Sequence, residues 1–239
     1  MSTQERKQRE RAEREQRFIQ AARGLIASDG ILNLQMAKLA DACDYATGTL
    51  YQHFSSKEDL LVAVAADSIE PNLALFERAS AWQECSRHRL FALSVVDTVC
   101  TDRCPVQAKL IQYVFTEAVW ENASEARRQQ LTVAVQRFAP HVERIVLDAI
   151  ESGDLAARGL EPLELSLGPW SLIKGMHALS HTRGLLQSMG VGQSQPLLYR
   201  QMQVYLNGMN WQPLFDLDDT AALRQLVERI YTEVIDHDD

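Results

Sequence analysis

An all-α fold follows from three features of this 239-residue chain. Proline and glycine are sparse, at 7 and 11 residues. Apolar residues recur at three- and four-residue steps, the pattern of helices with one buried face. No segment of five or six residues alternates in and out as a strand would. Composition is 46% hydrophobic and 23% charged, ordinary globular usage, which excludes a disordered chain, a collagen-like fibre and a disulfide-dense mini-protein. The chain is long enough to bury a full core without metal or disulfide staples.

The first helix is expected to begin inside the charged run that opens the chain. Glu5/Arg9, Glu10/Arg14 and Glu13/Arg17 are i,i+4 pairs with the acid first, the better orientation. Phe18, Ala22, Leu25 and Ile26 continue it as an apolar stripe, and Gly30 is placed to end it as a left-handed cap. Asn33 is expected to cap a second helix with Met36, Leu39 and Ala40 inward. Cys43-Asp44-Tyr45 makes a short turn, and a third helix runs from about Thr47 to Phe54. Ser55 or Ser56 caps a fourth, with Glu58 and Asp59 in its first turn, where acids favour the helix dipole. After Pro71 the periodicity predicts helices over 72–81, 86–101, 105–121, 124–151, 162–187, 196–209 and 219–236. Pro140 and Pro169 are read as starting or kinking helices.

Two short helices joined by a tight turn behind a longer one make a helix-turn-helix. Leu50 and Phe54 are four apart and share the inward face of the second short helix. Thr47, Thr49, Tyr51 and His53 are left with outward options, short or polar enough for base edges and phosphates. A major groove about 12 Å wide admits one such helix.

Residues 39–61, from Leu39-Ala40 through Gly48-Thr49-Leu50-Tyr51-Gln52-His53-Phe54 to Lys57-Glu58-Asp59-Leu60-Leu61, resemble the TetR/AcrR family of one-component transcriptional regulators. The family pattern reads Ile/Leu-Ala, a turn, Gly-Thr-Leu-Tyr-x-His-Phe, then x-x-Lys-Glu-x-Leu. The wider resemblance spans about residues 14–66. It implies a DNA-binding module at 1–66 and an effector-binding and dimerisation domain at 67–239. Carried over residue by residue, it places Tyr51, His53 and Lys57 on phosphates, Thr47 and Thr49 near bases, and Gln35 near the backbone at the start of the second helix. The turn departs from the family's Gly-Val-Ser: here it is Asp44-Tyr45-Ala46. Asp44 must take the left-handed conformation, Tyr45 must pack in place of a small valine, and Ala46 cannot cap, leaving Thr47 or Asp44 to do so.

The resemblance also implies a homodimer on double-stranded DNA and a small-molecule effector. The dimer face is expected on two helices, with Leu172, Gly175, Met176 and Leu179 on one and Leu223, Leu226, Val227 and Ile230 on the other. Effector-pocket positions are Tyr113, Phe115, Trp120, Phe138, Trp170 and His177.

Charge agrees with a DNA-reading front end. Residues 1–66 balance nine basic against nine acidic residues, while 67–239 hold fifteen against twenty-three and carry the whole net charge of −8. An anionic partner is least repelled at the N-terminal module. The six basic residues between Arg6 and Arg17 read better as a solvated helix than as a minor-groove arm.

The four cysteines, Cys43, Cys85, Cys100 and Cys104, are irregularly spaced, as for reduced thiols in the cytoplasm. Cys100 and Cys104 share a helix face if the helix is continuous, as half a metal site or a redox pair would, but a metal needs two more ligands and His88 is the only candidate nearby in sequence; buried inert thiols are the default. There is no secretory leader pattern and no transmembrane run, so no membrane partner is expected. The nucleophile-elbow, phosphate-loop, HExxH and paired CxxC motifs are absent. The expectation is a repressor, not an enzyme, released from a palindromic operator by a moderately hydrophobic effector, with no catalytic residue, cofactor or metal. Two rival classes stay open on sequence alone: a helix-turn-helix scaffold without specific DNA binding, and an all-helical enzyme.

Overall fold

The computed structural model describes residues 2–236. These residues form α-helices and no strand. Compactness groups them into two units that do not follow a sequential division at 66/67. The first unit takes the chain up to Glu70 together with Cys104–Val135, and the second takes Pro71–Arg103 together with the chain from Gln136 onward.

The first unit contains α1 (Thr3–Asp29), α2 (Met36–Ala42), α3 (Thr47–Tyr51) and α4 (Lys57–Asp67). The second unit takes up the chain in α5 (Glu70–Ala81) and α6 (Ser86–Arg103). The first regains it in α7 (Pro105–Val114), α8 (Glu117–Trp120) and α9 (Glu125–Gln136). The remainder of the second unit is α10 (Ala139–Glu151), α11 (Pro162–His181), α12 (Leu185–Ser188), α13 (Ser194–Gly208) and α14 (Thr220–Ile230). A wider helical turn over Tyr231–Ile235 continues α14.

Three long expected helices are each interrupted. The span 105–121 breaks at Phe115–Thr116, between α7 and α8. The span 124–151 breaks at Arg137–Phe138, where Pro140 lies in the first turn of α10 and cannot continue a helix arriving from upstream. The span 162–187 stops at His181, and left-handed Gly184 (φ 82°) starts the short α12. Pro169 sits inside α11 without ending it.

Local capping also differs from expectation. The ion pairs of α1 run base first, Arg6–Glu10 at 3.4 Å and Arg9–Glu13 at 2.8 Å. Glu5 is engaged in a capping box with Ser2, so it is not available to Arg9. Gly30 has φ 90° and ψ 158°, outside the left-handed helical region but in one that essentially only glycine visits. Asn33 does not cap α2. Its amide donates to the Asp29 carbonyl at 2.8 Å, fastening the loop to the end of α1.

In the second unit α10, α11, α13 and α14 all pack against α6. Phe91, Val95 and Val96 of α6 share that core with Ile145, Ala149, Met202, Leu206, Trp211 and Ile230. Arg87 lies within it, 1% exposed, and among the described residues its hydrogen-bond partners are neutral. Its guanidinium donates to the Trp211 carbonyl at 2.7 Å, Gln203 Oε1 at 2.7 Å and Asn207 Oδ1 at 2.8 Å. Burial pushes its pKa down to about 10, which still leaves it charged at neutral pH. A buried cation held by neutral acceptors loses solvation and regains it only through these bonds. Arg87→Ala strands the acceptors and opens a cavity; unfolding by urea should show a loss of about 3 kcal/mol.

Candidate nucleic-acid interface

The first unit is organised around Phe18, Leu39, Leu50 and Phe54, all fully buried. Leu50 and Phe54 seal the inner face of α3 as their spacing predicts. The turn before α3 takes the conformation its sequence demands. Asp44 has φ 60°, and Tyr45 packs its ring edge against Phe18 at 5.3 Å, with the Arg14 guanidinium over its other side. Ala46 is the N-cap residue of α3, with no side-chain cap bond, so neither Thr47 nor Asp44 takes that role. Helix α3 is shorter than expected, but His53 and Phe54 still donate backbone hydrogen bonds to the Leu50 carbonyl.

The outward side holds most of the expected DNA-facing residues. Tyr51 is 50% exposed, Gln35 is exposed, and Thr47 and Thr49 are half-buried at the α3 rim. Lys57 starts α4, its ammonium donating to the Leu32 carbonyl at 2.9 Å. That bond holds the charge beside the helix N-terminus, where the dipole already favours an anion.

His53 is the exception, with only 8% exposure. Its ring stands edge-on to Phe18 at 5.5 Å, and Nδ1 lies 3.3 Å from a carboxylate oxygen of Glu15. It therefore faces α1 and not the outside. The reason is a residue that local sequence reasoning did not find. Arg127 of α9 pairs with Glu15 at 2.8 Å, donates to the His53 carbonyl at 3.0 Å and covers the Phe54 ring at 4.8 Å. With Arg127 on one carboxylate oxygen of Glu15 and His53 on the other, the end of α3 is tied to α1 and α9 together.

The start of α4 is fixed to the same outside segment. Ser56 Oγ caps the Asp59 N–H at 3.0 Å, as the sequence signals. Buried Asp59 in turn accepts from the Ser55 N–H at 3.0 Å and the Ser124 N–H at 2.6 Å. Burial pushes the Asp59 carboxyl up, but the Ser55 and Ser124 donors outweigh it and hold the group below the ordinary carboxylate range. For Glu15, burial is likewise outweighed by Arg127 and His53.

A three-helix head with a sealed inner face and a polar rim on α3 is what a groove-reading module requires. Residues 18–64 match the family model described as bacterial regulatory proteins, tetR family. That segment, about a fifth of the chain, is a TetR-family module. The chain is 37% identical over 60 residues to the HTH-type transcriptional regulator UidR of Escherichia coli. That match covers 25% of this chain and only 31% of UidR, so the chain spans about a third of the length of the curated relatives it matches. Similarity over most of the chain is structural. A tetR-family regulatory protein from Rhodococcus RHA1 superposes with a TM-score of 0.59 at 17% identity, covering 82% of this chain and 96% of that one. A transcriptional regulator from Saccharomonospora viridis, solved in complex with choline, does so with a TM-score of 0.59 at 18% identity and the same coverages. At these identities the superpositions show the fold.

The expected sensing residues divide between the two units. Tyr113, Phe115 and Trp120 belong to the first, where Phe115 and Trp120 stack at 5.7 Å. Phe138, Trp170 and His177 belong to the second. Phe138 meets Phe76 edge-on at 4.6 Å, as core packing does, and Trp170 is 48% exposed. His177 is buried, with Nδ1 3.3 Å from both Asp97 Oδ2 and Thr101 Oγ1, and no hydrogen-bond partner on Nε2. Burial lowers its pKa despite Asp97, so the ring is neutral at pH 7.

The expected dimer residues also separate. Leu226, Ile230 and Met176 are buried in the chain's own core, with Leu172, Leu223 and Val227 packed against it. Only Gly175 and Leu179 are exposed. The open apolar face lies one helix stripe away: Leu163, Leu167 and Trp170 on α11 beside Val204 and Tyr205 on α13. Gly168 lets the two helices meet there, since a Cβ on it would overlap the Tyr205 hydroxyl. No helix among the described residues is long and apolar enough to cross a membrane.

The depressed carboxyls give the head a defined acid response. Their contribution is complete above the unfolded carboxylate pKa of about 4 and is lost as pH falls through the lower folded values. Asp59→Asn should lower stability at pH 7 and flatten its decline below about pH 4, measured by urea unfolding across pH.

Proposed function

We propose that this protein is a DNA-binding transcriptional regulator and not an enzyme: a cytoplasmic homodimeric repressor that leaves a palindromic operator when a small, moderately hydrophobic effector binds. The observation that carries the reading is the exposed, polar rim of α3, with Tyr51, Thr47 and Thr49 around a sealed Leu50–Phe54 face, inside the segment that matches the family.

In this reading α3 of each protomer enters successive major grooves, Thr47 and Thr49 meet base edges, and Tyr51, Lys57 and Gln35 hold the phosphate backbone. His53 acts from inside, as a positioning residue that keeps α3 seated on α1. Residues 1–66 carry DNA recognition, and 67–239 carry the effector site and the dimer contact. His177 supports a polar handle for the effector, because its unpartnered Nε2 can meet a hydroxyl or an amide of a ligand whose body is apolar. The choline complex of the Saccharomonospora regulator supports small-ligand binding within this fold. Effector binding then shifts an equilibrium between DNA-competent and released arrangements, by as much as its affinity for the two differs.

The experiment is selection of genomic fragments by the purified protein, followed by affinity measurement across salt concentrations. Tyr51→Ala should weaken the selected site about tenfold or more. Lys57→Ala should weaken all sequences alike and reduce the salt slope by about 1. A folded protein that selects no sequence refutes the reading. For the dimer, the exposed α11/α13 face supports a self-contact through Leu167, Trp170 and Val204. Trp170→Glu should yield a folded monomer by light scattering where the parent chain is a dimer.

A further inference from the structure

At the start of α6, away from every residue given a role above, three side chains of different chemistry converge. Glu84, Cys85 and His88 each offer one ligand atom, and these atoms all lie within 4.8 Å of one another. Glu84 Oε2 is 3.0 Å from His88 Nδ1. All three residues are half-buried, so the cluster is reachable from solvent yet partly shielded from it. Cys85 immediately precedes α6, and the first helical turn brings His88 back over it.

We propose that Glu84, Cys85 and His88 form a binding site for a borderline divalent cation of the zinc class, with water in the fourth position. Thiolate, imidazole and carboxylate together suit zinc or cobalt and disfavour magnesium or calcium, which take oxygen ligands. A tetrahedral ion with bonds of about 2.0–2.1 Å to nitrogen and oxygen sets those two ligands about 3.3 Å apart, close to the spacing already present between Glu84 and His88. The ion takes the place of the hydrogen bond between them, and the Cys85 thiol releases its proton to solvent as a small rotation brings sulfur to about 2.3 Å.

One cation stands nearby. Arg229 of α14 donates to the other carboxylate oxygen of Glu84 at 2.5 Å and also pairs with Glu233 at 3.1 Å. It leaves Oε2 free for the metal and orients the carboxylate as an outer-shell partner. Thiolate and carboxylate contribute two negative charges against its one positive charge, so the site still attracts a dication. A bound ion would thus fasten the start of α6 to α14 through Glu84 and Arg229, both within the second unit.

The test uses the full chain, reduced and stripped of metal, titrated with zinc against a chromophoric chelator and separately with cobalt. The expected result is one ion per chain and, with cobalt, the intense visible bands of a tetrahedral site plus a thiolate-to-cobalt charge-transfer band. Cys85→Ser should remove the charge-transfer band, and both Cys85→Ser and His88→Gln should weaken zinc at least about tenfold. Circular dichroism and melting of the metal-free variants establish that they are folded. The double variant C100S/C104S should bind as the parent does. The proposal is overturned if the parent chain binds zinc no more tightly than folded Cys85→Ser, or if the charge-transfer band survives Cys85→Ser and disappears in C100S/C104S.

Discussion

The first unit depends on the contact that Arg127 makes with Glu15, the His53 carbonyl and the Phe54 ring. A five-residue helix such as α3 has no stability of its own, because nucleation fixes several residues for a single hydrogen bond. It persists because Leu50 and Phe54 are buried and because one guanidinium closes the last turn from outside. Arg127 suits this task where lysine would not. Its planar fork serves a carboxylate and a carbonyl at once while its face lies over an aromatic ring. The same contact decides what α3 can offer a partner. With His53 drawn inward to Glu15, the outward set reduces to Thr47, Thr49 and Tyr51, with Gln35 and Lys57 at its margins.

The second unit shows a related economy around one buried charge. Arg87 gathers the end of α13 and the following turn by donating to Gln203, Asn207 and the Trp211 carbonyl, while Trp211 Nε1 returns a hydrogen bond to Ser86 Oγ at 3.0 Å. Most of the polar groups that face α6 here meet one another, with Arg87 Nε and Gln203 Nε2 left over. His177 and Asp97 are not fully satisfied in this way. A buried polar atom without a partner costs free energy, and at His177 Nε2 a ligand hydroxyl or amide would recover it.

The helix-turn-helix was legible because its determinants are local. Leu50 and Phe54 are four residues apart and Ser56 lies three before Asp59, so the inner face and the cap could each be read from neighbours in sequence, while the left-handed turn at Asp44 was implied by the resemblance, which has glycine there. The same local logic misjudged helix breaks: periodicity carries apolar residues through Phe115 and Phe138, but a phenylalanine at the right step can end one helix and anchor the next. It also does not separate a chain's own core from a surface left open: three of the expected dimer residues, Met176, Leu226 and Ile230, lie in the core. Leu226 and Ile230 have the spacing of any amphipathic helix, and spacing does not say whether the covering surface belongs to the same chain. The Glu84–Cys85–His88 cluster is equally local, yet without a second pair of ligands it resembles many half-exposed helix starts.

By itself the sequence determined the helical class and the head, since these rest on periodicity, capping and turn chemistry within a few residues of each other, while the likeness to TetR-family regulators rests on the motif at residues 39–61. Only the tertiary structure decided which way His53 turns, which arginine holds α3, and which faces of α11 and α14 remain open. Each of those depends on a group tens of residues away, such as Arg127 on Glu15 or Tyr205 against Gly168, and the free energy of such contacts is absent from the chain until the helices have packed.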